Sequence, residues 1–276
     1  MSSEWDETCL VCGIKTKNRC SKCAEAGVSL YFCSPDHQKL VWKVHRQVCG
    51  PGKANPFVYP LLSKSESQNI LAHLHDSDGG LARFPQKTST IAKALQHFVQ
   101  VPGRELRDCI KIVTEGGPNE LVTSEIQQRA LVIARAHEHS RTLDLKNLRT
   151  GPAANPFGNL ASWDWYSARD TTEASTMRWG DEPWRSWYRH AMLIFLSLMD
   201  QCRRAPYSDA TTAMAPWLDR LRTRNYAFIR STIAQTCPRL ADSMLDTAVK
   251  VNSAMHMMGM PTGVCSHLSR LQRLTQ

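Results

Sequence analysis

Cys9-Leu10-Val11-Cys12, Cys20-Ser21-Lys22-Cys23, Cys33-Ser34-Pro35-Asp36-His37 and His45-Arg46-Gln47-Val48-Cys49 follow one another in the first fifth of the chain. Reduced to metal-binding side chains, they are Cys-x2-Cys twice, then Cys-x3-His and His-x3-Cys. Zinc takes four thiolate or imidazole ligands tetrahedrally, and a Cys-x2-Cys turn aims two sulfurs at one point. Cys9, Cys12, Cys20, Cys23, Cys33, His37, His45 and Cys49 are eight such ligands, enough for two closed sites. A closed four-ligand site keeps no position for water or substrate, so two structural Zn2+ ions are expected, with no catalytic role.

Two other readings are a disulfide framework and chance clustering. Six of the ten cysteines lie between Cys9 and Cys49, which makes chance a poor account. A disulfide module belongs to an oxidising compartment, and the opening Met1-Ser-Ser-Glu-Trp-Asp-Glu7 is polar and acidic, without the apolar core of a secretory leader. Paired spacings are then expected to be metal sites. So short a segment has little room for a core, and bound metal is expected to supply most of its folding free energy, about 10–16 kcal/mol per structural site. Three thiolates and one imidazole around Zn2+ leave each site with one net negative charge. Lys15, Lys17, Arg19, Lys22, Lys39, Lys43 and Arg46 are expected to offset it. Residues 36–48 read as one short helix carrying His37 and His45 toward different sites, with Trp42 as its apolar anchor.

These residues resemble the MYND zinc finger. The resemblance rests on Cys9-Leu-Val-Cys12-Gly13, Arg19-Cys20-Ser-Lys-Cys23, Tyr31-Phe32-Cys33-Ser34, His37-Gln38, Trp42 and His45-x3-Cys49, and it covers residues 9–49 only. His37 stands where most of the family has cysteine. Imidazole also ligates zinc, so the expectation is a changed local charge and a retained site. The resemblance implies a cross-braced finger, in which Cys9, Cys12, Cys33 and His37 share one zinc and Cys20, Cys23, His45 and Cys49 share the other. It also implies a protein-interaction module that takes short, often proline-containing peptides. Gln38 and Trp42 are the candidate partner-binding residues, riding the finger's helix without serving as ligands; Trp42 is weighed equally as a core residue, and that reading is preferred.

The whole chain has 276 residues, of which 42% are hydrophobic and 21% charged, a balance that excludes wholesale disorder. The longest apolar run, residues 191–199, is nine residues long and about half a membrane span. No membrane association is expected, and the protein is expected to be intracellular, nuclear or cytoplasmic. Net charge is +9, which raises nucleic acid as a partner. Outside the first fifty residues, however, 27 basic and 20 acidic residues are spread without a block of like charge, which favours an ordinary basic surface.

Residues 50–61 contain three prolines and two glycines and read as an extended connection. The expected organisation is a finger over 1–50, a linker over 51–60 and a mainly α-helical domain over 61–276. Ser63-x2-Glu66 is a capping box opening a helix to about residue 75, which stops at Asp76-Ser-Asp-Gly-Gly80. Two short helices are expected over 90–99 and 104–113, and a stronger one from Ser124 to about 143, with Ile126, Ala130, Ile133, Ala134 and His137 on one stripe. Residues 151–182 read as a long irregular connection that docks through its tryptophans. Pro183 then opens the most hydrophobic helix, the expected centre of the core. Further helices are expected over 216–233 and 238–258, the latter closed by Gly259.

Several other signals carry less. Seven aromatics between Trp163 and Tyr188, interleaved with arginines, could stack nucleic-acid bases, but burial is the plainer reading. His137-Glu-His139 and His73-Leu-His75 have a spacing that points to different helix faces. Asp76-Ser-Asp78-Gly79 lacks the later ligands of a calcium loop. Asn-Pro-Phe at 55–57 and 155–157 recurs too briefly to be a repeat, and the methionines from Met255 to Met260 and the scattered Cys109, Cys202, Cys237 and Cys265 fit a core. There is no phosphate-cradling glycine loop and no nucleophile elbow. The Asn-His-x-Cys run and upstream Gly-x-Gly segment of MYND-bearing SET methyltransferases are also missing.

The expected function is therefore a non-enzymatic, zinc-binding adaptor that uses its finger to hold a short, proline-containing segment of a protein partner. The alternative is a nucleic-acid-associated regulator working through the basic, tryptophan-rich helical body. An enzyme of the helical body is the third reading, without a residue constellation to support it.

Overall fold

Ser34, Ser63 and Asn155 each place a side-chain oxygen on a backbone N–H at the start of a helix, and each sits just before a helix that the structure contains. The computed structural model describes residues 7–53, 58–76, 90–99, 105–115, 124–142, 155–168, 183–204 and 209–257. Its helices are α1 (Ser21–Glu25), α2 (Pro35–His45), α3 (Lys64–Ala72), α4 (Ile91–Val99), α5 (Leu106–Glu115), α6 (Ser124–Thr142), α7 (Pro156–Ala168), α8 (Pro183–Arg204), α9 (Asp209–Phe228), α10 (Ala234–Thr236) and α11 (Pro238–Met257), with a π-helical turn over Ile229–Ile233. Among the described residues β structure is confined to isolated bridges in the finger, Thr8 with Lys15 and Tyr31 with both Cys9 and Arg19. Among the described residues, a small cysteine-rich finger is followed by a mainly helical body, as expected. Among the described residues no helix is long and apolar enough to cross a membrane. Residues 54–57, 77–80, Trp179, Met258 to Met260 and Cys265 lie outside the described residues, as does the connection's stretch 169–182.

The chain divides into two compact units, Met1–Phe57 with Ser167–Gln276, and Val58–Tyr166. The sequence boundaries instead set the finger apart from one body over 61–276. Within the first unit, α2 of the finger packs on α8.

In the first unit, residues Tyr188 to Leu198 of α8 are buried without a break, as its apolar run requires. α9 and the π-helical turn pack beside α8 and α11 respectively. α9 begins at Asp209, earlier than the expected start at Pro216. Proline inside a helix removes one i to i−4 hydrogen bond, and Pro216 sits at an exposed position.

The second unit is built on α6, against which α4 and α5 pack. Every residue from Ala130 to His137 is buried, so α6 is enclosed all round and not along one stripe. α8 is thus not the chain's sole central helix; each unit has its own. Arg135 interrupts the apolar sequence of α6 and is only 3% exposed. Its Nε donates to Glu66 Oε1 (2.9 Å), Nη1 to the Pro60 carbonyl (2.7 Å) and Nη2 to the Leu61 carbonyl (3.1 Å), while the guanidinium lies over the Phe157 ring. A buried cation costs several kcal/mol unless paired and fully hydrogen-bonded, and these partners supply both. Gln128 exchanges hydrogen bonds with the backbone of Tyr59, whose hydroxyl donates to Asp164 (2.7 Å). The expected linker over 51–60 therefore ends in residues gripped by α6 and α7, and Tyr59 is 2% exposed.

Two local readings need correction or extension. The expected irregular stretch at 151–182 contains α7, whose N-terminus Asn155 caps by accepting from Phe157 N–H (2.9 Å), with Pro156 at the first helical position. Trp163 is thereby buried on a helix. The Ser63–Glu66 capping box forms in full: Ser63 Oγ accepts from Glu66 N–H (3.2 Å) and Glu66 accepts from Ser63 N–H (2.7 Å). His73 Nδ1 lies 2.6 Å from Asp76 Oδ2, just past the end of α3.

Candidate metal centre

Three turns of finger backbone present the ligands. After Cys12 the chain reverses at Gly13, whose φ of 75° is open to glycine and whose N–H donates to the Cys9 carbonyl (2.8 Å). Tyr31 and Phe32 run between the two Cys-x2-Cys segments: Leu10 N–H donates to Tyr31 O (2.8 Å), Cys20 N–H to Leu30 O (2.9 Å) and Phe32 N–H to Asn18 O (2.9 Å). One strand-like stretch thus ties both cysteine turns together and delivers Cys33 beyond them. Ser34 then caps α2 through His37 N–H (3.3 Å), with Pro35 at the first position and Asp36 in the first turn. Along α2, His37 and His45 lie about 12 Å apart in rise and about 80° apart in azimuth, so one helix serves two separate points.

The side chains converge as two groups, Cys9, Cys12, Cys33 and His37, and Cys20, Cys23, His45 and Cys49, each with all ligand atoms within 4.8 Å of one another. In the first, His37 Nδ1 lies 3.1 Å from Cys33 Sγ and 3.5 Å from Cys9 Sγ, and Cys12 and Cys33 sulfurs are 3.5 Å apart. In the second, His45 Nε2 lies 3.4 Å from Cys20 Sγ and 3.7 Å from Cys23 Sγ, and Cys49 Sγ is 3.5 and 3.8 Å from the same sulfurs. Zn–S bonds of about 2.3 Å and Zn–N bonds of about 2.0–2.1 Å set ligand atoms about 3.5–3.8 Å apart across a tetrahedron. A disulfide would need about 2.05 Å. The sets fit zinc, and His37 would bind through Nδ1 and His45 through Nε2. This is the interleaved ligation implied by the resemblance, with imidazole in place of a thiolate at residue 37.

The acid–base chemistry of the thiols favours a cation in each cluster. Burial opposes ionisation of Cys9, but N–H groups of Cys12, Cys33 and Val11, with the His37 ring, bring it down to about 6. Hydrogen bonding from Cys23, then His45, brings Cys20 down to about 3 against the cost of burial. That same Cys20 contact drives Cys23 up, together with burial. Burial and the Cys12 and Cys9 sulfurs push Cys33 up to about 12, and burial with Cys20 pushes Cys49 up to about 11. Each cluster is too crowded to hold three bare thiolates. A divalent cation removes that repulsion and deprotonates coordinating thiols outright.

The finger also buries more than expected. Leu10, Val11, Val28, Leu30, Phe32, Val41, Val44 and Val48 are all buried, whereas Trp42 is 42% exposed. Trp42 is therefore not the finger's apolar anchor; its ring edges against His45 at 5.8 Å and otherwise faces outward. Gln38, one turn earlier, is half-buried. The seven lysines and arginines expected to offset the sites' charge are all exposed, and of these Lys22 acts on Cys49. Closer cations come from α9: Arg224 Nη1 donates to the Cys9 carbonyl (2.5 Å) and Arg220 Nη1 to the Cys12 carbonyl (3.4 Å). On α8, His190 Nε2 donates to the Val48 carbonyl (3.1 Å). Sequence reasoning missed these residues, which lie 142 to 215 positions from their partners and carry no local signature. Cys109 and Cys202 are buried apart from both clusters. Among the described residues neither His137 nor His139, nor His73 or His75, joins a metal-type cluster.

Compared with known families, residues 9–49 match the model of the MYND finger. Neither the curated proteins nor the solved structures contain a match to the chain. This chain carries a double-zinc MYND finger at its N-terminal end and a mainly helical remainder.

Proposed function

We propose, with the MYND finger at residues 9–49 as the premise, that this protein is a non-enzymatic intracellular adaptor. Its finger holds a short, proline-containing segment of a protein partner on the face of α2 that carries Gln38 and Trp42. The observation that carries this reading is the exposure of Trp42 on a helix whose Val41, Val44 and His45 are buried. Large aromatics normally sink into a core; one left 42% open beside a fully buried histidine is available to a ligand. Proline segments are preformed and extended, and they dock on aromatic faces at low entropic cost. Gln38 lies four residues from Trp42 on the same side of the helix and can hydrogen-bond the peptide carbonyls that proline leaves free. Both metal sites use all four positions on protein ligands, which supports a structural role for zinc in that reading.

Titrating proline-rich peptides into the zinc-loaded full chain should shift the amide resonances around Gln38 and the indole resonance of Trp42. Trp42→Ala should abolish the shifts while leaving the zinc content unchanged. Peptide binding confined to the helical remainder, or salt-sensitive binding to DNA or RNA with no peptide response, would refute it.

A further inference from the structure

One face of α9 touches three of the four ligands of the first cluster in succession. Trp217 meets the His37 ring edge-on, with centroids 5.6 Å apart at 68°. Arg220 donates to the carbonyl of Cys12, and Arg224 donates from Nη1 to that of Cys9 and from Nη2 to Thr8 Oγ1 (2.6 Å). Positions 217, 220 and 224 step by three and four, the spacing of one helical stripe. We propose that Arg224 and Arg220 belong to the first metal centre as its outer cationic clasp, so that zinc binding by Cys9, Cys12, Cys33 and His37 and the docking of α9 on the finger form one linked equilibrium.

Charge supplies the reason. Three thiolates around a divalent ion leave one net negative charge, held where Cys9 is fully buried. Arg224 is half-buried against the same turn. Among the described residues it pairs with no carboxylate; its hydrogen bonds go to a carbonyl and a hydroxyl. A half-buried cation held against neutral acceptors gains from a nearby negative charge, and the zinc–thiolate cluster supplies one. The planar guanidinium fork also fixes the backbone of the Cys9–Cys12 turn, and with it the direction of two sulfurs. The second cluster is supported from α8 instead, where His190 donates to the Val48 carbonyl. Linkage is reciprocal: whatever zinc contributes to holding α9, α9 contributes to holding zinc. The inference requires only the metal centre and is independent of the peptide reading above.

The test uses the full chain, zinc competed with a chromophoric chelator, and amide hydrogen exchange to identify which cysteine turn has lost its ion. Arg224→Ala should weaken zinc at the Cys9–Cys12 turn by about 10–100-fold, the usual effect of losing an outer-sphere partner, with the Cys20–Cys23 turn unchanged. Arg224→Lys, which keeps charge but loses the fork, should fall between. Arg230→Ala, at an exposed position on the following turn, should match the parent protein. Stripping zinc from the parent should expose the amides of α9 together with those of the finger. Equal zinc affinity at both turns in Arg224→Ala, or α9 protection that survives zinc removal, overturns the proposal. If Arg224→Ala does not fold, Arg220→Ala and Arg224→Lys decide by the same selective loss at the first turn, and its absence in both overturns the proposal.

Discussion

Replacing His45 with alanine separates what the metal contributes from what the apolar core contributes. His45 is fully buried, points Nε2 at Cys20 and Cys23, and is the only imidazole of the second cluster. Leu30 is a comparable control: fully buried in the same finger, with no metal-binding atom. Truncating a buried leucine to alanine costs about 2–5 kcal/mol, through lost transfer energy and the cavity left behind. A structural zinc site is worth about 10–16 kcal/mol, which meets or exceeds the whole stability of an ordinary domain, about 5–15 kcal/mol. Leu30→Ala should therefore keep both zinc ions and a protected finger, unfolding at lower denaturant. His45→Ala should lose the second ion and the protection of residues 20–49 without any denaturant. The assay is zinc content by elemental analysis, with hydrogen exchange read over residues 9–49 at neutral pH. If His45→Ala kept two zinc ions, or if the two variants lost protection equally, the reasoning that metal outweighs the core would be refuted.

In the helical unit built on α6, Arg135→Met should destabilise by about 3–5 kcal/mol in urea unfolding, because Glu66 and two carbonyls lose a buried cationic partner. The same pair predicts a pH dependence. Burial alone would raise the Glu66 pKa, but the Arg135 hydrogen bonds and charge outweigh it and hold the carboxyl below its usual value. A folded pKa below the unfolded value stabilises above the unfolded pKa of about 4.3 and is lost as pH falls through the folded value. Acid unfolding of Glu66→Gln should accordingly show a weaker pH dependence in that window than the parent. Ser63→Ala removes the hydroxyl that accepts from Glu66 N–H at the start of α3, leaving the Ser63 N–H to Glu66 bond available, and should cost about 0.5–2 kcal/mol, seen as faster exchange of the first-turn amides.

What could be read from the residues in advance was local chemistry. Eight ligands lie within one short stretch, and their spacings state a coordination number. Ser63 and Glu66 are three residues apart, within reach of the same helix end. α7 was legible too, since Asn155-Pro156 is a cap followed by a first-turn proline; the tryptophans after it drew the reading toward a docked loop. Pro216 misled in the other direction, because proline marks a helix start only when no helical turn precedes it. Arg135 gave no sign of burial: its partners are 69 to 75 residues away, and an arginine in an amphipathic pattern reads as solvent-facing. The same holds for Trp217, Arg220 and Arg224, whose role depends on where the finger rests, which no local pattern encodes. Trp42 looked like a core residue because the short finger seemed to have no other; the valines of α2 and the Leu30–Phe32 stretch fill that place.

The account depends most on two metal ions holding residues 9–49. The purified 276-residue chain, analysed for zinc and for polypeptide in the same sample, should contain two zinc ions per chain, one for each cluster. Adding a strong chelator should then remove the hydrogen-exchange protection of residues 9–49. One ion or none per chain, or protection that persists after both have been taken away, would contradict it.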